Sequence, residues 1–237
     1  MGATPELSAI VLCYRAEEAA VPLLEALHRE LVASGVDYEL VLVANYDEGR
    51  RDRTPDVAAR FAAEHAATVV VAEPKRGGMG WDMRRGLDAA RGEVLVVVDG
   101  DGQYAPADVV RIFRAQRAED PHDVVKGRRT SRADGVYRRL LTLAYNVAFA
   151  VLFPRRAVRD VNGKPKAIAR RAYERLQLRS DDWFADAELV LEARRLGMRI
   201  EDLPVAYGAG SRGSFVKPGA ILEFARNMLR YRLRGHV

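Results

Sequence analysis

The run Glu93–Val98 ends in Asp99-Gly100-Asp101-Gly102, an apolar stretch closed by two acids spaced i and i+2. A strand buried inside a parallel sheet reads as such a continuous apolar run. Ligands of open α/β sheets sit beyond the carboxyl ends of their strands. On an extended chain Asp99 and Asp101 lie on one side, where their carboxylates repel each other. A divalent cation relieves that repulsion. Mg²⁺ or Mn²⁺ suits such a site, because it takes one or two carboxylates and fills its shell with water and phosphate oxygens. A plain Asp-Gly turn is the competing reading of the same letters.

The remaining composition narrows the chemistry. The chain has 237 residues, 49% apolar and 30% charged. At about 150 residues per domain this fits one large domain with a core of its own, and it rules out wholesale disorder. The single cysteine, Cys13, excludes an internal disulfide, a CxxC pair and a cysteine-based zinc site. The histidines His28, His65, His122 and His236 are scattered, so they predict no metal cluster. No leader of secretory type opens the sequence. The longest apolar tract, Leu140 to Phe153, is interrupted by Thr142 and Asn146 and falls short of a span. These signals together predict a cytoplasmic protein.

Charge is divided unevenly along the chain. Residues 1–120 carry 14 basic and 21 acidic side chains, and residues 121–237 carry 24 basic and 12 acidic, so the net +5 is the sum of −7 and +12. An acidic half suits a metal. A basic half suits a phosphorylated ligand, an anionic membrane or nucleic acid, or is simply a solvated surface. No helix-turn-helix or RNA-binding signature and no interleaved aromatics accompany the basic residues, so nucleic acid is not expected.

The elements that must hold Asp99 and Asp101 are legible from periodicity. Apolar runs at Ser8–Cys13, Tyr38–Ala44, Ala67–Val71 and Glu93–Val98 read as strands. Between them lie helical patterns over 17–33, from Thr54 to about Ala66, after Gly80 to Ala90, and from Ala105 to about Ala118. Pro55 is suited to a first helical position. This alternation predicts right-handed βαβ units in a mostly parallel sheet with helices on both faces. Beyond residue 120 the expected elements are a short strand at Val124–Lys126, one helix over 136–153 and extended chain over 162–169. A helix over 186–196 ending at Gly197, a strand at 199–203 and a terminal helix over 220–233 follow. The sequence shows no linker, so residues 1–237 are expected to form one domain, with 1–120 as the nucleotide and metal half and 121–237 as the acceptor half.

The order of motifs resembles glycosyltransferase family 2, whose fold is of GT-A type, and within it the polyprenol-phosphate sugar synthases. Val11-Leu12-Cys13-Tyr14 with Glu17-Glu18 resembles VxxYNEE, and Gly80 to Leu87 resembles GxAxRxGL. Asp99 to Pro106 resembles DADLQHPP, and Lys126 to Arg129 resembles GSR. Arg138 with Thr142 resembles RxxxS, Asp160 to Lys164 resembles DxxxGFK, and Trp183 to Leu189 resembles FDxEL. The chain departs from the pattern at Arg15 and Ala16, in the longer loop Asn45 to Gly49 that stands for DDGS, and at Asp82, which replaces a small residue.

The resemblance implies roles. Leu12, Tyr14, Glu17, Asn45, Asp47, Arg84, Asp99 and Gly100 would hold the nucleotide. Asp99, Asp101 and Gln103 would form the metal and diphosphate centre, with Asp101 catalytic through the ion. Arg128, Arg138 and Thr142 would bind an acceptor phosphate, since arginine forks match phosphate oxygens, and Lys164 would assist at the phosphate or sugar. Asp186 would orient the acceptor or act as its base, although a carboxylate at a helix start is also an ordinary dipole partner. Trp183 and Phe184 read as core or as a platform under the sugar.

The implied reaction is inverting, metal-dependent transfer of a sugar, mannose from GDP-mannose being favoured, to a polyprenyl phosphate. Three alternatives remain: a cytosolic family member acting on a soluble metabolite, peptide or natural product; a nucleotidyltransferase, which Tyr14-Arg15-Ala16-Glu17 fits poorly; and a non-catalytic nucleotide or nucleic-acid binder. The donor is a GDP- or UDP-sugar in either enzyme reading. The terminal helix, with Ile221, Leu222, Phe224, Met228 and Leu229 among Arg226, Arg230, Arg232 and Arg234, reads either as self-packing or as a peripheral contact with the cytoplasmic membrane face. Residues 208–214, rich in glycine and serine, read as a closing loop or a plain connector.

Overall fold

The computed structural model describes residues 3–132, 143, 147, 149–153, 160–208 and 218–233. The strands are β1 (Leu7–Leu12), β2 (Tyr38–Val43), β3 (Thr68–Val71), β4 (Val94–Asp99), β5 (Val124–Arg132), β6 (Lys166–Ala169) and β7 (Ile200–Tyr207). They form one sheet in the order β3-β2-β1-β4-β6-β5-β7. Four of its six pairings are parallel; β6 runs antiparallel to both neighbours, β4 and β5. The first four strands follow the expected βαβ logic. All six residues of β1 are buried, as are the four valines and one leucine that lead into Asp99 in β4, which is why these strands read as apolar runs, broken only by Ser8.

Helices cover both faces. On one side α1 (Val21–Ser34), α2 (Thr54–Glu64) and α4 (Pro106–Gln116) pack through Leu24, Leu27, Phe61, Val109 and Phe113 against Ala9, Leu42 and Val96. On the other side α3 (Met79–Ala89), α5 (Arg170–Tyr173) and α6 (Ala185–Arg195) pack through Met83, Leu87, Ala172 and Leu189 against Ile10, Val97 and Ile168. A third layer lies outside α6, where α7 (Pro218–Leu233) and the helical residues 149–152 bury Met228, Tyr231 and Phe149 with Phe184 and Val190. Phe184 is therefore core.

Some elements differ from the sequence expectation. The helix expected over 17–33 opens with a 3₁₀ turn at Glu17–Ala20 before α1 begins, with Pro22 in its first turn and left-handed Gly35 (φ 69°) closing it. Strand β5 has nine residues rather than three. Its second half, Arg128–Arg132, is polar and carries no apolar alternation, yet it pairs in parallel with β7 across a bulge between Arg129 and Ser131. Most of the helix expected over 136–153 and all of residues 209–217 lie outside the described residues. Two of the scattered histidines come together: the rings of His28 and His65 lie 4.2 Å apart, and His65, Glu25 and Glu64 bring ligand-type atoms within 4.8 Å of one another on α1 and at the end of α2.

Candidate active site

The crossover β1-α1-β2 covers one face and β3-α3-β4 covers the other, so the sheet order reverses between β1 and β4. The cleft beyond the carboxyl ends of those two strands is where open α/β sheets bind ligands. Leu12 and Asp99 are register partners at this edge. The Gly100 amide donates to the Leu12 carbonyl at 2.9 Å. A Cβ on Gly100 would lie 2.7 Å from that oxygen, so the position requires glycine. Gly102, at φ 74°, completes the turn.

Asp101 and Gln103 are held within this turn. The Gln103 amide donates to Asp101 Oδ1 at 3.0 Å, and the Gln103 side chain ties the turn to the end of β7: its Nε2 donates to the Gly208 carbonyl at 3.0 Å, and its Oε1 accepts from the Tyr207 hydroxyl at 2.7 Å. Gln103 thus acts here as a clamp. Hard carboxylate oxygens at a strand end are the donor chemistry that Mg²⁺ or Mn²⁺ prefers. The turn also already faces a cation, since the Lys164 ammonium lies 2.6 Å from Asp99 Oδ1. Asp99 and Asp101 therefore fit the role of holding a divalent ion.

The nucleotide side is a second set of bonds. The Tyr14 hydroxyl donates to Asp47 Oδ2 at 2.6 Å, and burial, the largest cause, together with Asp47 raises the phenol above its ordinary value. The Lys75 ammonium lies 3.9 Å from the centre of the Tyr14 ring and pairs with Asp82. Asn45 is fully buried; its Nδ2 donates to Asp82 at 2.9 Å, and its Oδ1 accepts from the Glu73 amide at 2.9 Å. Burial raises the Asp82 carboxyl, with Lys75 and Asn45 opposing it. Asp82 therefore anchors the loop that carries Asn45 and Asp47.

Several residues expected at the nucleotide face inward or sideways. Leu12 offers its carbonyl to Gly100. Glu17, in the left-handed region at φ 45°, donates its amide to Thr54 Oγ1 at 3.0 Å, at the start of α2. Arg84 pairs with Asp181. Arg128 is a half-buried residue of β5, while Arg138 and Thr142 lie outside the described residues.

The largest departure concerns lysine. Only five of the 237 residues are lysine, and four of them, Lys75, Lys126, Lys164 and Lys166, are buried in ion pairs around this cleft. Lys126 and Lys166 are register partners of β5 and β6. Lys126 pairs with Asp202 at 2.8 Å and donates to the Asp160 carbonyl at 2.9 Å. Asp160 also binds Arg129 through both oxygens, and the guanidinium outweighs burial to hold this carboxyl below its usual range.

Asp186, at the start of α6, is 3% exposed. It pairs with Lys166 and lies 3.5 Å from Lys164. Burial alone would raise its pKa, but the two ammoniums win and hold it low. Burial and the ammoniums of Lys164 and Lys126 push Lys166 down to about 8, against the pull of Asp186. The expectation that Asp186 would reach an acceptor meets a carboxylate enclosed by lysines. Reading for rare residues would have found this layer. In a chain that otherwise uses arginine, the compact ammonium marks positions where a guanidinium fork has no room.

The family model described as Glycosyl transferase family 2 matches residues 8–182. The chain belongs to glycosyltransferase family 2. It is 32% identical over 175 residues to glycosyltransferase AglD of Haloferax volcanii, covering 70% of this chain and 27% of that protein. It is 24% identical over 237 residues to dolichyl-phosphate beta-glucosyltransferase ALG5A of Trichomonas vaginalis, covering 94% of this chain and 72% of that one. The chain thus spans about a quarter of the length of the Haloferax relative. Among solved structures it resembles glucosyl-3-phosphoglycerate synthase from Mycobacterium tuberculosis in complex with Mn²⁺, UDP-glucose and phosphoglyceric acid, with TM-score 0.74 and 20% identity over 96% of this chain and 79% of that one. The mixed α/β sheet is accordingly the GT-A fold.

Proposed function

We propose that this domain is an inverting glycosyltransferase that moves a hexose from a nucleoside diphosphate sugar to the phosphate of a polyprenyl phosphate. The observation that carries the donor half is the Asp99-Gly100-Asp101 turn, locked to Leu12 at the switch point beside the Tyr14–Asp47 pair. Asp99 and Asp101 would hold Mg²⁺ or Mn²⁺, and the bound ion would neutralise the departing nucleoside diphosphate. Tyr14, Asp47 and the loop anchored by Asp82 position the nucleotide. An acceptor oxygen forms the new bond to the anomeric carbon as the bond to the diphosphate breaks, through an oxocarbenium-like state.

Asp186 supports the phosphate acceptor. A hydroxyl acceptor needs a base within reach of its proton, and the obvious base is buried and paired with Lys164 and Lys166. A phosphate oxygen is already anionic and needs only positioning, which suits Arg128 and the expected Arg138 and Thr142. The name of the Trichomonas relative, a dolichyl-phosphate transferase, agrees.

The outer layer supports a lipid. No helix of the described residues is long and apolar enough to cross a membrane. Leu143, Val147 and Val151, four apart along the chain, are 54–73% exposed, and Leu229 and Leu233 of α7 are exposed as well. Arg226, Arg230 and Arg232 lie in solvent on the same helix. The 149–152 segment and α7 are joined by Phe153 and Tyr231, whose rings are 6.1 Å apart, so the apolar positions and arginines belong to one packed layer. This is the composition of a peripheral contact with an anionic membrane.

The test is a transfer assay crossing GDP-mannose and UDP-glucose with polyprenyl phosphate and with soluble hydroxyl acceptors. Transfer to the lipid phosphate, with Mn²⁺ or Mg²⁺ present, is expected, and the preferred donor fixes the base and sugar. Transfer to a free hydroxyl with none to the lipid overturns the acceptor assignment in favour of a soluble substrate.

A further inference from the structure

The acids of the turn and Asp186 share one cation, and it is a side chain. Lys164 Nζ lies 2.6 Å from Asp99 Oδ1 and 3.5 Å from Asp186 Oδ2, with Asp101 close enough to act on its charge. The lysine side chain is 3% exposed, whereas that of Asp99 is 31% exposed. Its stem is fixed from both ends. The Lys164 amide donates to the Tyr104 hydroxyl at 3.2 Å, and Met79 Sδ lies 3.7 Å from Nζ. Gly163 and Gly127 bring two backbones so close that a Cβ on Gly163 would lie 2.0 Å from the Gly127 carbonyl. The backbone that carries the ammonium is therefore held in place at the floor of the cleft.

We propose that Lys164 is a positioning residue that serves as resident counter-ion of Asp99, so that Mg²⁺ or Mn²⁺ is held at this turn only together with a nucleoside diphosphate. The proposal rests on the reading of Asp99 and Asp101 as the metal carboxylates. A divalent ion approaching Asp99 meets a fixed like charge in a poorly hydrated site, where such repulsion is strong. Displacing the ammonium would leave it buried with Asp186 alone. The diphosphate changes this balance, because its oxygens add negative charge and ligands on the open side of the turn. Donor and metal then arrive as a unit, and the domain does not hold the free ion.

Manganese binding is measured by electron paramagnetic resonance titration, with and without UDP or GDP, on the wild-type protein, Lys164→Met and Asp101→Ala. The wild type is expected to bind Mn²⁺ at least about tenfold more tightly with nucleotide than without, a ratio equivalent to about 1.4 kcal/mol. Lys164→Met is expected to gain about tenfold in nucleotide-free affinity, closing that gap. Equal affinity with and without nucleotide in the wild type, or an unchanged nucleotide-free affinity in a folded Lys164→Met, overturns the proposal. If Lys164→Met does not fold, Lys164→Gln takes its place, since the amide still reaches Asp99 without the charge; circular dichroism and melting temperature verify folding. Asp101→Ala separates the two readings. Nucleotide-dependent manganese binding that survives Asp101→Ala removes the metal site itself, whereas its loss there with no gain in the Lys164 variants removes only the role of Lys164.

Discussion

Lys166 and Asp186 form an ion pair with both side chains almost fully buried, between the antiparallel strand β6 and the first turn of α6. Lys164 lies on the other oxygen. An acid held this way is an electrostatic support. Asp186→Asn takes from Lys166 its paired carboxylate and leaves Lys164 with Asp99 alone, and breaking a buried pair on one side costs about 3–5 kcal/mol. A urea denaturation midpoint shifted by that amount is expected, and a variant as stable as the wild type would show that Asp186 is not the counter-ion of this layer.

The same pair predicts a pH dependence. Lys166 is pushed down to about 8 from an ordinary 10.5. Between these two values the unfolded chain binds the proton and the folded chain does not, so this group's contribution to stability rises as pH rises through the window. Below about 8 both states are protonated and the cost of the buried charge is fully present. Lys166→Met removes the titrating group. Denaturation at several pH values from 7.5 to 10 should show wild-type stability gaining on the variant by on the order of 1–3 kcal/mol. Parallel curves would contradict the shift.

Asp101→Ala removes one strong electrostatic contact to the developing charge of the leaving group. A fall of about 10²–10³ in kcat is expected, with folding intact. Steady-state kinetics at saturating donor tests this, since an effect confined to KM would place Asp101 in ground-state binding only.

Gly100→Ala probes the turn without touching a carboxylate. The added Cβ would lie 2.7 Å from the Leu12 carbonyl, so the strand ends must part. A loss of about 1–3 kcal/mol is expected from overpacking, accompanied by weaker nucleotide binding in calorimetry. Wild-type stability in this variant would mean that the Leu12–Gly100 contact relaxes freely.

The exposed apolar positions predict vesicle binding. Co-sedimentation with vesicles rich in anionic phosphatidylglycerol should be retained by the wild type and reduced several-fold by Val151→Asp with Leu233→Asp, each buried apolar side chain being worth about 1.5–3 kcal/mol. Raising the salt should weaken it further, because the arginine contribution is screened. Equal sedimentation with neutral vesicles, or none at all, would instead leave these positions to a protein surface.

Much of this molecule is visible in its letters. The buried strands β1, β2 and β4 announce themselves because both faces are covered, so their positions are apolar apart from Ser8, Glu39 and the terminal Asp99. The Asp99–Asp101 turn is visible because glycine and paired acids directly follow such a strand. The second half of β5 is not visible, since Arg128–Arg132 gains its place from ladder bonds to β7 and from ion pairs, neither of which leaves a period in the sequence. The same is true of the antiparallel β6, a four-residue strand that opens on Lys166 before its apolar end.

From its sequence alone the chain declares the alternating strands and helices of its first half and the acids at one strand end, because local periodicity and adjacent residues encode them, while the order of its motifs carries the resemblance to family 2. Only the tertiary structure decides which charges meet. Asp186 and Asp99 lie far apart along the chain, and Lys164 and Lys166 reach them from just before and at the start of β6, a strand whose pairing no local pattern specifies. Burial then strengthens these pairings by removing the water that would screen them, so the role of each acid follows from its neighbours in space.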